Sequence, residues 1–281
     1  MDATTVNPSD RIRLSGAAFS KPLPAIGGIE GTGRVIKAQG ENVQEWVGKR
    51  VCFITTGSGT WASYCVTTPF LTFEIDDEVE LNSAASGVVN PLTVIGMVEI
   101  FKERKLNGLI HTAAASSLGR MLNKICQKES IPLLNIVRRE EQANLLKAEG
   151  AKNVLVTTGD WESQYKEYIG KGFDCIFDAI GGGETTKILL ENMPLKSGIF
   201  LYGTLEGKPL IFDAVQKIQM GQKIEGFIAG NWWAQAPEET KTRVRAKYSQ
   251  YLKGELSTKL LKEVTFSKVE EAVGLSVTHT L

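Results

Sequence analysis

Ile110-His111-Thr112-Ala113-Ala114-Ala115-Ser116-Ser117-Leu118-Gly119-Arg120-Met121 is followed by Leu133-Leu134-Asn135-Ile136-Val137 and then by Arg138-Arg139. The first run reads as a strand, a tight turn and the start of a helix, and the second as another strand. The two arginines fall about 20 residues past the turn, where a dinucleotide fold places the group that reads the adenosine ribose. An acidic residue there would hydrogen-bond a free 2′-hydroxyl, whereas guanidinium groups offer a bidentate fork to a 2′-phosphate. The pattern implies a site for NADPH.

The turn is a relaxed glycine fingerprint, with Ala114 and Ser116 in the first two glycine positions and Gly119 in the third. Small residues there let a pyrophosphate approach backbone N–H groups at a helix N-terminus. Ser116 and Ser117 add hydroxyl donors where the helix dipole favours an anion. Leu118 opens the helix, and Gly119 keeps it close to its strand. A plain packing turn between strand and helix has the same small residues, so the turn leaves both readings open and the downstream arginines weigh for the cofactor.

Composition narrows the field. A chain of 281 residues that is 42% hydrophobic can bury a large core, as one big domain or two unequal ones. Its formal net charge is zero and its charges are mixed, so no basic face argues for nucleic acid and no polybasic tail for a membrane. No apolar run reaches the length of a bilayer span, and Met1-Asp2-Ala3-Thr4-Thr5 lacks the pattern of a signal peptide or other presequence. The expectation is an intracellular protein, mitochondrial or cytoplasmic. Cys52, Cys65, Cys126 and Cys175 are isolated beside apolar residues, which favours buried thiols over disulfides or a zinc knuckle. With His111 and His279 the sole histidines, a histidine-based metal site or a Ser/His/Asp triad is disfavoured.

Along the chain, the first third carries short β-like runs at Thr32 to Ala38, Arg50 to Ile54 and Trp61 to Val66, separated by Gly40-Glu41-Asn42 and Thr56-Gly57-Ser58-Gly59. That is the texture of a small β domain. A helical stretch from Ser83 to Phe101 follows, interrupted near Pro91. Strands and helices then alternate to about residue 230. Leu118, Met121, Leu122 and Ile125 mark one helical face, Gln142 to Ala148 a second helix, and Trp161, Tyr165, Tyr168 and Ile169 a third. Strands are predicted at Asn153 to Val156, Phe173 to Asp178 and Ile199 to Gly203. Such alternation implies a parallel sheet, with Asp178 to Gly182 and Tyr202 to Leu205 at strand carboxyl ends, where ligands sit. For Gly181 to Gly183, a loop-forming role and a ligand-binding one are equally open.

Set in order, these segments resemble the zinc-independent medium-chain dehydrogenase/reductase family. The resemblance rests on Asn7-Pro8-Ser9-Asp10, Gly28-Ile29-Glu30-Gly31-Thr32-Gly33, Val47-Gly48-Lys49-Arg50-Val51, Gly59-Thr60-Trp61, Asn90-Pro91-Leu92-Thr93, Gly150-Ala151, Phe177-Asp178-Ala179-Ile180-Gly181-Gly182, Tyr202-Gly203 and Gly226-Phe227. It implies an α/β protein with a Rossmann-type doubly wound parallel sheet at 89–233 and a GroES-like β domain formed by 1–88 and 234–281. Zinc-dependent relatives have a Cys where this chain has Asn7 and a His where it has Ile29, and neither replacement offers the thiolate or imidazole that zinc needs. The closely spaced cysteines of a structural-zinc lobe are absent too. No metal is expected.

Within the family the chain looks most like the NADPH-dependent enoyl-thioester reductases and the quinone reductases. That resemblance implies reduction of an activated C=C bond in a small molecule, with Asn7, Asn90 and Thr93 as catalytic candidates. The cofactor set it implies is Asn90, Thr93, Ser116, Ser117, Leu118, Gly119, Arg138, Arg139, Gly181, Tyr202, Gly203, Thr204, Leu205, Phe227, Ile228 and Ala229. Helix capping is the alternative for Asn90 and Thr93. A homodimer through edge strands of the cofactor domain is implied as well, and Lys223 to Ile228 alternates as such a strand would.

Two departures stand out. These reductases carry a proton-donating tyrosine where this chain has Gly16-Ala17-Ala18-Phe19, and the family's outermost strands at both ends are not found, so the chain looks shortened. A rival expectation is therefore a catalytically degraded homologue that serves as a cofactor-binding or structural subunit of a larger assembly.

Overall fold

Leu109, Ile110 and His111 are wholly buried, and the chain folds around them. The computed structural model describes residues 1–16, 24–259 and 262–278. The chain divides into two compact units, Met1–Leu92 with Ala236–Leu281, and Thr93–Gln235.

The first unit holds β1 (Ala3–Thr4), α1 (Pro8–Leu14), β2 (Glu30–Arg34), β3 (Arg50–Ile54), β4 (Thr72–Glu74) and α2 (Leu81–Ala85). Its strands form an antiparallel sheet in the order β1-β2-β3-β4. Glycine has a steric reason in β2, where a Cβ on Gly31 would stand 2.7 Å from Ala3 O. The predicted strand at Trp61 to Val66 is an irregular run instead. Trp61 Nε1 donates to Thr5 O at 3.2 Å, and both Tyr64 and Val66 are exposed, so the apolar residues there have no sheet face to bury.

The helical stretch is broken at Ser86 to Val88, ahead of Pro91. Pro91 lies in the first turn of α3 (Val89–Glu103), where a helix needs no N–H from it. The division between the units passes through that same turn.

The second unit continues with β5 (Leu109–His111), α4 (Ser117–Lys128), β6 (Leu133–Val137), α5 (Glu140–Ala148), β7 (Asn153–Val156), α6 (Trp161–Gly170), β8 (Cys175–Asp178), α7 (Gly183–Glu191), β9 (Gly198–Leu201), α8 (Ala214–Met220), β10 (Lys223–Gly226) and α9 (Ala229–Gln235). The strands form one parallel sheet in the order β10-β9-β8-β5-β6-β7. It is the doubly wound arrangement expected from the sequence, with the order reversing next to β5. One face packs Ile110, Ile136, Ile176 and Ile199 on Trp161, Tyr165, Leu189 and Leu190. On the other, Phe177 stacks on Phe200 at 4.7 Å and meets Phe227 edge-on, while a Cβ on Gly96 of α3 would stand 2.8 Å from Phe227. Leu118, Met121, Leu122 and Ile125 are buried as their spacing predicts.

The chain then returns to the first unit as α10 (Glu238–Ala246), α11 (Tyr248–Lys253) and α12 (Val269–Thr278). Tyr248 stacks on Phe73 of β4 with ring centroids 4.0 Å apart, and Arg245 donates to Pro69 O and Phe70 O. All four cysteines are free thiols, with Cys52, Cys126 and Cys175 buried. No helix among the described residues is long and apolar enough to cross a membrane.

Candidate functional site

The carboxyl edge of the parallel sheet collects most of the predicted cofactor residues. Ser116 is the N-cap of α4, and its Oγ accepts from Gly119 N at 3.1 Å. The amides of Ser117 and Leu118 stand in the first helical turn, whose N–H groups have no intrahelical acceptor. A Cβ on Gly119 would lie 2.2 Å from Ala114 O, so no larger residue fits between helix and strand. Ala113 takes the left-handed conformation at φ 51° that turns the strand into the helix. Arg138 and Arg139 follow β6 with exposed side chains. The backbone fits a dinucleotide here, since it combines a tight turn, a close helix and cations beyond the neighbouring strand.

Asp178 organises the adjoining loops from a wholly buried position. Its carboxylate accepts from Thr112 Oγ1 at 2.6 Å, Thr186 Oγ1 at 2.8 Å, Gly181 N at 2.9 Å and Ile180 N at 3.0 Å. The loops after β8 and β9 then close on each other, with Leu205 N donating to Ala179 O. A Cβ on Gly181 would meet Gly203 O at 2.3 Å, so backbone crowding explains both glycines. Thr204 is exposed, Leu205 half-buried and Ile228 exposed, while the Phe227 side chain is in the core and leaves only its backbone to a ligand. Ala229 is half-buried at the start of α9.

His111 and Tyr202 form a pair at the same edge. His111 Nε2 and Tyr202 Oη are 2.6 Å apart and the ring planes differ by 12°. His111 is buried with its Nδ1 unpartnered, and burial pushes its pKa down to about 3, so the ring stays neutral. Burial pushes the Tyr202 phenol up, aided by the Asp178 charge.

The remaining candidates begin in the first unit. Asn7 precedes α1 and donates from Nδ2 to Glu30 Oε1 at 2.8 Å, while its backbone N–H donates to Asp10 Oδ2 at 2.7 Å. Glu30 is wholly buried and its other oxygen accepts from Val88 N and Val89 N at 2.9 and 2.7 Å, capping the helix that carries Asn90 and Thr93. Burial raises Asp10 to about 6 and Glu30 to about 7. Asn7 thus belongs to a hydrogen-bonded cluster in the first unit that reaches Val89, the residue before Asn90, and Thr93, buried, opens the second unit.

The sequence marks Asp178 and Tyr202 at strand ends, but the bonds made by Asp178 and Glu30 and the pairing of His111 with Tyr202 escape it. Glu30 lies inside a quoted motif, but nothing local shows that it caps a helix 58 residues away. Ala17, Ala18 and Phe19, where the family's tyrosine is expected, and His279 lie outside the described residues. Among the described residues no group of three or more His, Cys, Asp or Glu side chains could hold a metal ion.

Residues 1–77 match the family described as alcohol dehydrogenase GroES-like domain, and residues 118–245 the one described as zinc-binding dehydrogenase. The mitochondrial enoyl-[acyl-carrier-protein] reductase of Arabidopsis thaliana is 29% identical over 83% of this chain, which spans 64% of that protein's length. The human protein of the same name is 24% identical over 99% of this chain and 76% of its own. The crystal structure of a protein assigned as an NADPH:quinone reductase from Mesorhizobium loti superposes with a TM-score of 0.88 at 27% identity, covering 98% of this chain and 81% of that one.

Proposed function

The chain belongs to the medium-chain dehydrogenase/reductase family, and on that premise we propose that it is an oxidoreductase that reduces an activated C=C bond with NADPH and without zinc. The substrate class is an enoyl thioester, an enone or a quinone. One observation carries the reading. Arg138 and Arg139 end the strand beside the Ser116-capped helix α4, which gives the adenosine 2′-phosphate a cationic partner and the pyrophosphate a helix N-terminus. The names of the relatives support both the cofactor and the reaction, and those of the curated relatives support a mitochondrial setting.

NADPH, when bound, supplies a hydride. The residues assigned to it here are Ser116 to Gly119 at the pyrophosphate, Arg138 and Arg139 at the 2′-phosphate, and Gly181, Tyr202 to Leu205, Phe227 to Ala229, Asn90 and Thr93 toward the nicotinamide. Asn7 is tied to Glu30, and an amide in that bond is no zinc ligand. The protein's share of the chemistry is to position the alkene and to aim N–H and O–H donors at the carbonyl oxygen as enolate charge develops.

The test is a fluorescence titration with NADPH and NADH, followed by NADPH oxidation assays with short enoyl thioesters, enones and quinones. Tight NADPH binding with turnover of at least one class is expected. Binding without consumption in any class overturns the reductase reading, and stoichiometric zinc by elemental analysis overturns its metal-free part.

A further inference from the structure

A hydride delivered to carbon leaves a carbanion to be protonated, and the sequence has no tyrosine at the family's usual place for that task. The parallel register places another hydroxyl at the carboxyl edge. His111 lies beside Phe177 on β8, and Phe177 beside Phe200 on β9. Side chains alternate along a strand, so Tyr202, two residues beyond Phe200, emerges on the same sheet face as His111. The 2.6 Å contact between the two rings follows from that placement.

The direction of this hydrogen bond decides what Tyr202 can do. His111 Nδ1 is buried with no partner. A lone pair left unmet in the interior is tolerated better than an N–H left unmet, so the imidazole proton belongs on Nε2. Nε2–H then donates to the Tyr202 oxygen, and the phenol O–H must point elsewhere. Among the described residues Tyr202 Oη has no second partner. Tyr202 is half-buried and, with the residues after it, belongs to the loop assigned to the cofactor.

We propose that Tyr202 is the proton donor to the reduced substrate and that His111 is its positioning residue. The proposal rests on the reductase reading. The hydride forms a C–H bond at the β-carbon and the π pair passes into the thioester carbonyl as an enolate. The α-carbon then takes the proton of the Tyr202 O–H, and the resulting phenolate is held by His111 Nε2–H until water reprotonates it. The alkene is reduced, NADPH is oxidised, and the proton comes from solvent by way of Tyr202. The ring nitrogen acts as a fixed donor aimed where negative charge appears, with no reorganisation needed during the step. Asp178 is the charged group facing the phenol, and it helps keep the hydroxyl protonated between turnovers.

The experiment compares the wild type with Tyr202→Phe, His111→Leu and His111→Gln, whose amide can still donate. With NADPH saturating in both assays, Tyr202→Phe lowers thioester reduction about 10²-fold or more and quinone reduction at least tenfold less than that, because quinone oxygens take protons from solvent. His111→Leu slows thioester reduction, and His111→Gln recovers part of the loss. Nitrogen-15 NMR of the cofactor-free protein reports the Nε2–H tautomer of His111, independently of activity. The proposal is overturned by a thioester rate for Tyr202→Phe within about threefold of wild type, by an Nδ1–H tautomer, or by an Ala18→Tyr variant about tenfold faster than wild type, which would show that a donor was missing. A wild type that turns over neither thioester nor quinone refutes the reductase reading itself, and the donor role falls with it.

Discussion

Arg138 and Arg139 stand exposed at the end of β6, and their planar forks suit a phosphate better than a hydroxyl. Replacing both with alanine is expected to weaken NADPH about 10- to 100-fold, the equivalent of about 1.5–3 kcal/mol for the exposed pair together, while NADH binding changes little. Titrating both cofactors against the double variant checks this, and equal affinities of the wild type for NADPH and NADH would refute it. Glu30 makes a different prediction. Burial raises its folded pKa from 4.5 to about 7, so between those values the folded state binds more protons than the unfolded one and stability falls as pH rises. The loss is absent below about pH 4.5, reaches about 3 kcal/mol from this group, and is complete above about pH 7. Asp10, raised to about 6, and Arg13 beside it add their own charges to the cluster, whereas the Cys52 thiol and the Tyr248 phenol, pushed up by burial, stay neutral. Glu30→Gln keeps an acceptor for the amides of Val88 and Val89 and removes the titration, so urea midpoints should vary less between pH 4.5 and 7 than in the wild type. The arginines were legible because charge and spacing are local properties of a sequence. The Tyr202–His111 bond was not, since it joins residues 91 apart that only the strand order brings together.

At the scale of elements, α4 shows contact outweighing propensity. Alanine normally stabilises a helix relative to glycine by about 1 kcal/mol. Gly119→Ala should do the reverse, because its Cβ would stand 2.2 Å from Ala114 O and α4 would have to move off its strand. A loss of about 1–3 kcal/mol in denaturant melts is expected, with NADPH binding lost alongside. Ser116→Ala removes the cap on Gly119 N and should cost about 1 kcal/mol. A Gly119→Ala variant more stable than the wild type would contradict the packing argument. The parallel sheet could be read from the sequence because buried strands and 3.6-residue stripes alternate without ambiguity. Trp61 to Val66 misled because β-rich composition does not reveal whether a partner strand exists. The break at Ser86 to Val88 was misplaced because its cause, a carboxylate from β2 accepting the first amides of α3, is remote in sequence.

At the scale of the whole molecule, β10 is an edge strand of the parallel sheet among the described residues. A second copy set antiparallel about Ile224 would place Lys223 opposite Glu225 in both directions, and Val215 and Ile218 of α8 are exposed nearby in sequence. A homodimer through β10 is therefore expected by light scattering, and Lys223→Glu, which sets like charges against each other, should shift it toward monomer. A wild type that is monomeric at micromolar concentration would reject the interface. The route of the chain has a separate consequence for synthesis. The first unit is built from both ends of the sequence, and the second is one uninterrupted run between them. A nascent chain leaving the ribosome can thus complete the parallel sheet while Phe73 still awaits Tyr248 and the carbonyls of Pro69 and Phe70 still await Arg245. The β sheet made first is finished last, and for about the 170 residues between those partners its face stays without the ring and the guanidinium that cover it in the finished fold.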